Sequence, residues 1–470
     1  MRRPIAFLTP PAVALATLAV PDPAAAHGLV GREDLPLPPW LFAWAASIVL
    51  IVSFAGLAVL WTKPKLEGAS SGRVLGVPLA FELLAGACGV ALFAVVVYAG
   101  FAGSQVDTAN LAPTTIFVLF WVLVPLSSVA LGDLFRYVSP WRAVARATGW
   151  AARKLGGDSL PAPLAYPERL GRWPAVAGIL CFGWLELISP DRGDPSFLAT
   201  LALVYAAVQL IGSSLYGEQA WTANADAFGG FFALCGRLSP LDWRDRELHV
   251  RKPLSGATTM AAVPGAVALL CVLIGVTSYD GLSQSSLWLD LLPDLQRAFE
   301  ALGLSSSASL QAAGLLGLAT VCGLVAGLYR LGADGVRTAA GEVTTGEAAR
   351  TFAHALIPIA AAYLAAHYVS LLVFQGQALW YLASDPLGRG DDIFGTAGRA
   401  IDYSWLGSTA IWYVQVTALV VGHVAGLVLA HDRAIFRFSD AKVAARSQYW
   451  MLAVMVSFTS IGLWLLSAGR

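Results

Sequence analysis

Few residues in this chain have side chains that could do chemistry inside a protein core, and nearly all of them fall in apolar runs. They are Glu82, Asp133, Glu186, Gln209, His354, His367, Gln415 and His423, with Glu218 and His431 at the ends of such runs. Imidazole and carboxylate are the common ligands of zinc, iron, copper and manganese. A bound divalent metal would activate water or polarise a phosphoryl oxygen. On that chemistry His354, His367 and His423 are candidate metal ligands, and Glu186 and Glu82 are candidate catalytic carboxylates. The plain alternative is that each histidine is neutral and hydrogen-bonded to a backbone or hydroxyl group on a neighbouring helix. No HExxH, Walker, GxSxG or nucleotide-binding fingerprint accompanies them.

The elements that must position these residues are membrane helices. Of 470 residues, 57% are hydrophobic and 13% are charged, against roughly 25% charge in a soluble domain. Mean hydropathy is +0.66. A chain this long and this poor in charge has nothing to cover its surface in water. That excludes a soluble enzyme, a disordered protein and a nucleic-acid binder. Lys+Arg and Asp+Glu are both 30, so no net charge draws it to an acidic partner. A helical span needs about 20 apolar residues. Ten segments qualify: 40–61, 76–103, 115–134, 173–190, 195–216, 257–279, 308–329, 351–374, 408–430 and 449–468. The expected fold class is all-α, a polytopic membrane helix bundle of about ten transmembrane helices after a cleaved signal peptide. The lipid bilayer is its expected partner.

Residues 1–26 read as that signal peptide: Arg2 and Arg3, a short apolar stretch from Ile5 to Val20, and the small residues Ala24, Ala25 and Ala26. Residues 27–470 form one transmembrane domain. Basic residues set its orientation. With the mature N-terminus outside, the inner loops hold 22 Lys and Arg and the outer segments hold 6, while the outer loops are acidic, Asp280 among them. Both mature termini are then extracytoplasmic, in a bacterial cytoplasmic (inner) membrane. The long loops 135–172 and 217–256 are cytoplasmic, and 280–307 and 375–407 are external. Ser139-Pro140-Trp141-Arg142 and Ser239-Pro240-Leu241-Asp242-Trp243-Arg244 share a loose pattern. Two amphipathic surface helices account for it, as does a weak internal duplication.

Depth and helical angle group the polar residues. At about 1.5 Å per residue, His367, Glu186 and Gln415 lie roughly 6–7 Å to the outer side of their span centres. His354, His423, Glu82 and Asp133 form an inner group. His354 and His367 are about 140° apart around a straight helix, so they cannot face one mononuclear site unless the helix bends. Pro358 permits a bend, because it cannot donate to the carbonyl of His354. Gly422 to Gly426 is a GxxxG that straddles His423, and Gly323 to Gly327 is another; such pairs let helices approach closely. Cys88, Cys181, Cys235, Cys271 and Cys322 form no CxxC. Four lie in apolar runs and Cys235 lies in a basic loop, so they read as small core residues.

The stretch from His27-Gly28-Leu29-Val30-Gly31-Arg32-Glu33-Asp34 into Pro39-Trp40 resembles multi-pass bacterial proteins known as fenitrothion hydrolases. So do Asp226-Ala227-Phe228 through Arg237-Leu238-Ser239-Pro240, and His354-Ala355-Leu356-Ile357-Pro358. Trp412-Tyr413-Val414-Gln415 through His423 to His431-Asp432-Arg433 adds to the likeness. The resemblance spans nearly the whole mature chain. It implies hydrolysis of an apolar organophosphate ester at the membrane, with a metal-bound hydroxide attacking phosphorus. It transfers no catalytic residue by role. Intramembrane carboxylates equally suit a transporter for a small solute, proton or metal ion. His27, as a mature terminus able to chelate copper, suits a copper-handling or assembly factor.

Overall fold

Long apolar runs become long helices, because a backbone in lipid must satisfy its own hydrogen bonds. The computed structural model describes residues 39–156, 163–244, 246–341, 343–438 and 441–468. The signal peptide expected over 1–26, His27 and the residues up to 38 lie outside the described residues. Among the described residues, eight helices are long and apolar enough to cross a membrane. The chain is therefore a multi-pass helical membrane protein.

In chain order the principal elements are α1 (Pro39–Leu60), β1 (Gly72–Gly76) and α2 (Leu79–Ala102). Then come α3 (Leu111–Leu131), α4 (Pro140–Gly156), α5 (Trp173–Leu187) and α6 (Pro195–Tyr216). After α7 (Ala227–Gly236), β2 (Leu241–Arg244) and β3 (Glu247–Val250) follow α8 (Ala266–Ser283), α9 (Ser286–Ala301) and α10 (Ser306–Ala340). The chain then forms α11 (Thr345–Phe352), α12 (Leu356–Gln375), α13 (Ser408–Arg437) and α14 (Tyr449–Ala468). The three strands form one antiparallel sheet, ordered β1-β3-β2. It marks one end of the bundle, the sheet face; the opposite end is the far face.

The centre of the bundle is α8 and α12. In α8, 78% of the most apolar window is buried, against 11% in α2, which lies at the edge. Helix α12 packs along α13, against α8 and against α3. The α12–α13 contact depends on the absence of two side chains. A Cβ on Gly422 would fall 2.2 Å from that of Ala362, and one on Gly426 would fall 2.9 Å from the carbonyl oxygen of Ala355. Gly323 and Gly327 behave differently: a Cβ there meets nothing within 4 Å. One of the two GxxxG pairs is thus a packing surface and the other is open.

Two central helices are irregular at prolines. The span carrying His354 breaks into α11 and α12 through a 3-10 turn, Ala353–Ala355, just before Pro358. Helix α3 widens to a π-helix over Thr115–Leu123, with the Val124 amide bonding the carbonyl of Leu119. Pro125 follows and cannot donate to Trp121, which removes one bond of the tighter spiral.

Three sequence expectations change at this point. The segment 217–256 is more than a surface loop. Within it α7 is a buried apolar helix whose Phe231 and Phe232 are 2% and 0% exposed. Ten residues are too few to span a bilayer, so length alone hid it. Cys235 therefore sits in the core. Asp280, expected in an external loop, is 2% exposed within the last turns of α8. The two Ser-Pro motifs enter unlike elements, Pro140 opening helix α4 and Leu241 opening strand β2. The amphipathic helix expected in the first loop is α4, and the second loop instead carries a hairpin.

Buried carboxylates fasten these parts at the sheet face. Asp226 caps α7 and accepts from the Trp141 indole (2.7 Å), the Tyr205 hydroxyl (2.8 Å) and the Gly229 amide (2.8 Å). It joins α4, α6 and α7 beneath an aromatic cluster centred on Phe228, Phe232 and Trp121. Asp432, near the end of α13, accepts from the Trp61 indole (2.8 Å) and from the amides of Lys65, Leu66 and Glu67 (2.6, 3.0 and 2.8 Å). Beside it His431 bridges Gln448 and the Trp61 carbonyl, each at 3.1 Å. Arg433 pairs with Glu67 and donates to the Thr258 carbonyl at 2.7 Å. The loop after α1 is thereby clasped to α13.

Candidate functional site

Glu186, Asp280, His367 and Tyr368 meet in the far half of the bundle. Three helices bring them there. Glu186 is the penultimate residue of α5 and is 4% exposed. Asp280 is carried by α8, and His367 and Tyr368 are consecutive on α12. These positions follow from packing, since α8 lies against both α5 and α12.

Inside the cluster, His367 Nε2 lies 2.8 Å from Asp280 Oδ2. The ring of Tyr368 stands edge-on to that of His367, 4.8 Å between centroids. The polar neighbours of Glu186 are Tyr368 and Asp280, yet neither of its carboxylate oxygens closes a hydrogen bond among the described residues. Trp121, on the π-helical stretch of α3, lies beside the Tyr368 hydroxyl. His367 keeps 15% of its side chain exposed while Asp280 keeps 2%. The cluster therefore has two carboxyl groups, an imidazole and a phenol in an apolar surround. Such a set can pass a proton between groups, or hold one in place of a charge.

The other candidate residues stand apart from it. Glu82, in the first turn of α2, is ion-paired with Arg146 of α4 at 2.9 Å. Asp133 follows the end of α3, after Gly132 turns the chain at φ 78°. Gln209 accepts from the Trp221 indole at 2.9 Å, and Glu218 pairs with Arg142 at 2.5 Å. Gln415 is buried on α13. His423 is 0% exposed; its Nδ1 lies 2.7 Å from the Leu419 carbonyl, and its ring is 5.9 Å from that of Tyr363. His354 sits in the 3-10 turn and lines a sheet-face cavity of 210 Å³ with Arg350, Thr351 and Arg433.

No family model, curated protein or solved structure matches this chain.

The three candidate metal ligands thus occupy three separate surroundings. Among the described residues, no three His, Cys, Asp or Glu side chains are grouped so as to hold a metal ion. All five cysteines are free. Two members of the cluster were missed in the sequence. Asp280 follows Val276-Thr277-Ser278-Tyr279 directly, so extending the span to Ser283 would have included it. Tyr368 adjoins His367 and carried no signal beyond that adjacency.

Proposed function

We propose that this chain is a proton-coupled membrane transporter for a small solute, with Asp280, His367, Glu186 and Tyr368 as its proton-handling site. The observation that supports this reading is the 2.8 Å Asp280–His367 contact, buried beside a Glu186 carboxyl whose polar neighbours are Tyr368 and Asp280 and whose oxygens close no hydrogen bond among the described residues. An ionisable group within a membrane bundle is costly and tends to mark a pathway or proton relay. His367 can carry a proton that balances an ionised Asp280. Glu186 and Tyr368 supply the next acceptor and donor. Lys and Arg concentrate on the sheet-face side, 22 of 30 by sequence, which supports a sheet face in the cytoplasm of a bacterial inner membrane.

Proton movement tests this without knowing the solute. The full chain goes into liposomes with an entrapped pH dye, and a potassium diffusion potential draws protons inward. Faster acidification than in empty liposomes, lost in Asp280→Asn and Glu186→Gln, is the expected result. Acidification equal to that of empty liposomes, together with no labelling of Glu186 by an apolar carbodiimide, would overturn it.

A second reading rests on the residual exposure of His367. An imidazole oriented by a carboxylate is a general base, and one reachable from the lipid side could activate water against an apolar phosphotriester. The sequence resemblance implies hydrolysis of the same class of ester, but by a metal-bound hydroxide, whereas this reading needs only the imidazole and its carboxylate. Release of the phenol from such an ester by wild type, and not by His367→Ala, would favour it over transport.

A further inference from the structure

The sheet-face end of α5 carries a charge that the neighbouring side chains leave unbalanced. Arg172, the residue before α5, is 8% exposed, and its Nε and Nη1 have no hydrogen-bond partner among the described residues. The charge acting on it is a second cation, Arg237, which follows α7. Both residues are fixed to the segment between β3 and α8. Arg237 donates to the Thr259 hydroxyl (2.6 Å) and the Gly256 carbonyl (3.2 Å), and the Arg172 amide donates to the Pro264 carbonyl (2.7 Å). The N-terminus of α5 adds the positive end of a helix dipole.

Burial, with Arg237 beside it, lowers the Arg172 guanidinium to about 10, so it stays charged at neutral pH. A buried cation without a counter-charge is strongly unfavourable, and that describes Arg172: the carboxylates of Asp133 and Asp242 act on Arg237, while the charge acting on Arg172 is Arg237 itself. An anion seated there would remove the penalty. The guanidinium fork fits two oxygens of one tetrahedral anion. Trp173, the next residue, is half exposed at the end of the apolar helix, as an interfacial anchor is. The site is therefore at headgroup depth.

We propose that Arg172 and Arg237 together hold a phosphate group at the sheet face, either the phosphodiester of an anionic lipid or free phosphate. Native mass spectrometry of the detergent-solubilised full chain tests this with three probes: phosphatidylglycerol, phosphatidylcholine and inorganic phosphate. Preferred binding of phosphatidylglycerol, weakened about tenfold in Arg172→Gln, supports the site with a lipid as its source. Binding of inorganic phosphate that falls in the same variant, with no preference between the lipids, supports it with free phosphate as the source. Equal binding of every probe by wild type and Arg172→Gln overturns it. If Arg172→Gln does not fold, Arg172→Lys carries the test, since it keeps the charge and loses the fork: weaker binding supports the site and wild-type binding overturns it.

Discussion

His367 Nε2 lies 2.8 Å from Asp280 Oδ2, and only the packing of α8 on α12 brings them together. The pair gives each group a partner in a medium where water is scarce. Breaking it has consequences for stability as well as for proton movement. His367→Ala takes that contact from a buried carboxyl and so destabilises the folded chain. The expected outcome is a lower melting temperature in detergent together with lost proton uptake. His367→Gln keeps a donor and should recover stability without recovering uptake. Full uptake in either variant would count against the proposed site.

The two GxxxG pairs predict opposite signs. Gly422→Ala sets a methyl 2.2 Å from the Ala362 Cβ, and overpacking of this kind costs about 1–3 kcal/mol or more. Gly323→Ala meets nothing and replaces a poor helix former, for a gain of about 0.5–1 kcal/mol. Thermal unfolding of the two variants side by side checks both.

Asp432 holds an indole and three backbone amides. Asp432→Ala orphans these donors, and the loss should be on the order of 3 kcal/mol after water recovers a share. Limited proteolysis should then cut in the 62–71 loop. Asp432→Asn, with one acceptor oxygen left, should fall between.

Burial raises the Glu67 carboxyl above the usual glutamate range, and the opposing pull of Arg433 does not cancel it. A carboxyl raised in the folded state binds its proton more tightly there than in the unfolded chain. Its contribution is complete below the unfolded value of about 4.3, and it is lost as pH climbs through the raised folded value. Melting temperature should fall over that window, and Glu67→Gln should flatten the fall. A wild-type profile that rises through the same window would refute the assignment.

Hydrophobic run length made most of the spans legible, because a bilayer demands about 20 apolar residues and the chain supplies them. It failed where burial is by protein instead of lipid. Helix α7 is too short to register as a span, yet Phe232 within it is fully buried. Asp280 was lost for a related reason: a charge usually ends a hydropathy window, but here a partner on another helix lets the span continue past it. Depth placed Glu186 and His367 on one level, and the structure brings both to Asp280. Helical rotation about each axis has no readable signature in one sequence. The surroundings of His354 and His423 were therefore open until the packing was known.

The clasp at Asp432 also bears on how the chain is made. Trp61 and Asp432 stand 371 positions apart, and synthesis runs from the first to the second. Helix α1 enters the membrane early, but the acceptor that fixes its trailing loop emerges only after nearly every other described span. Until then α1 has neither α13 nor α14 to rest against. The fold is closed by its last segments, so a ribosome stalled before Asp432 leaves α1 inserted but undocked.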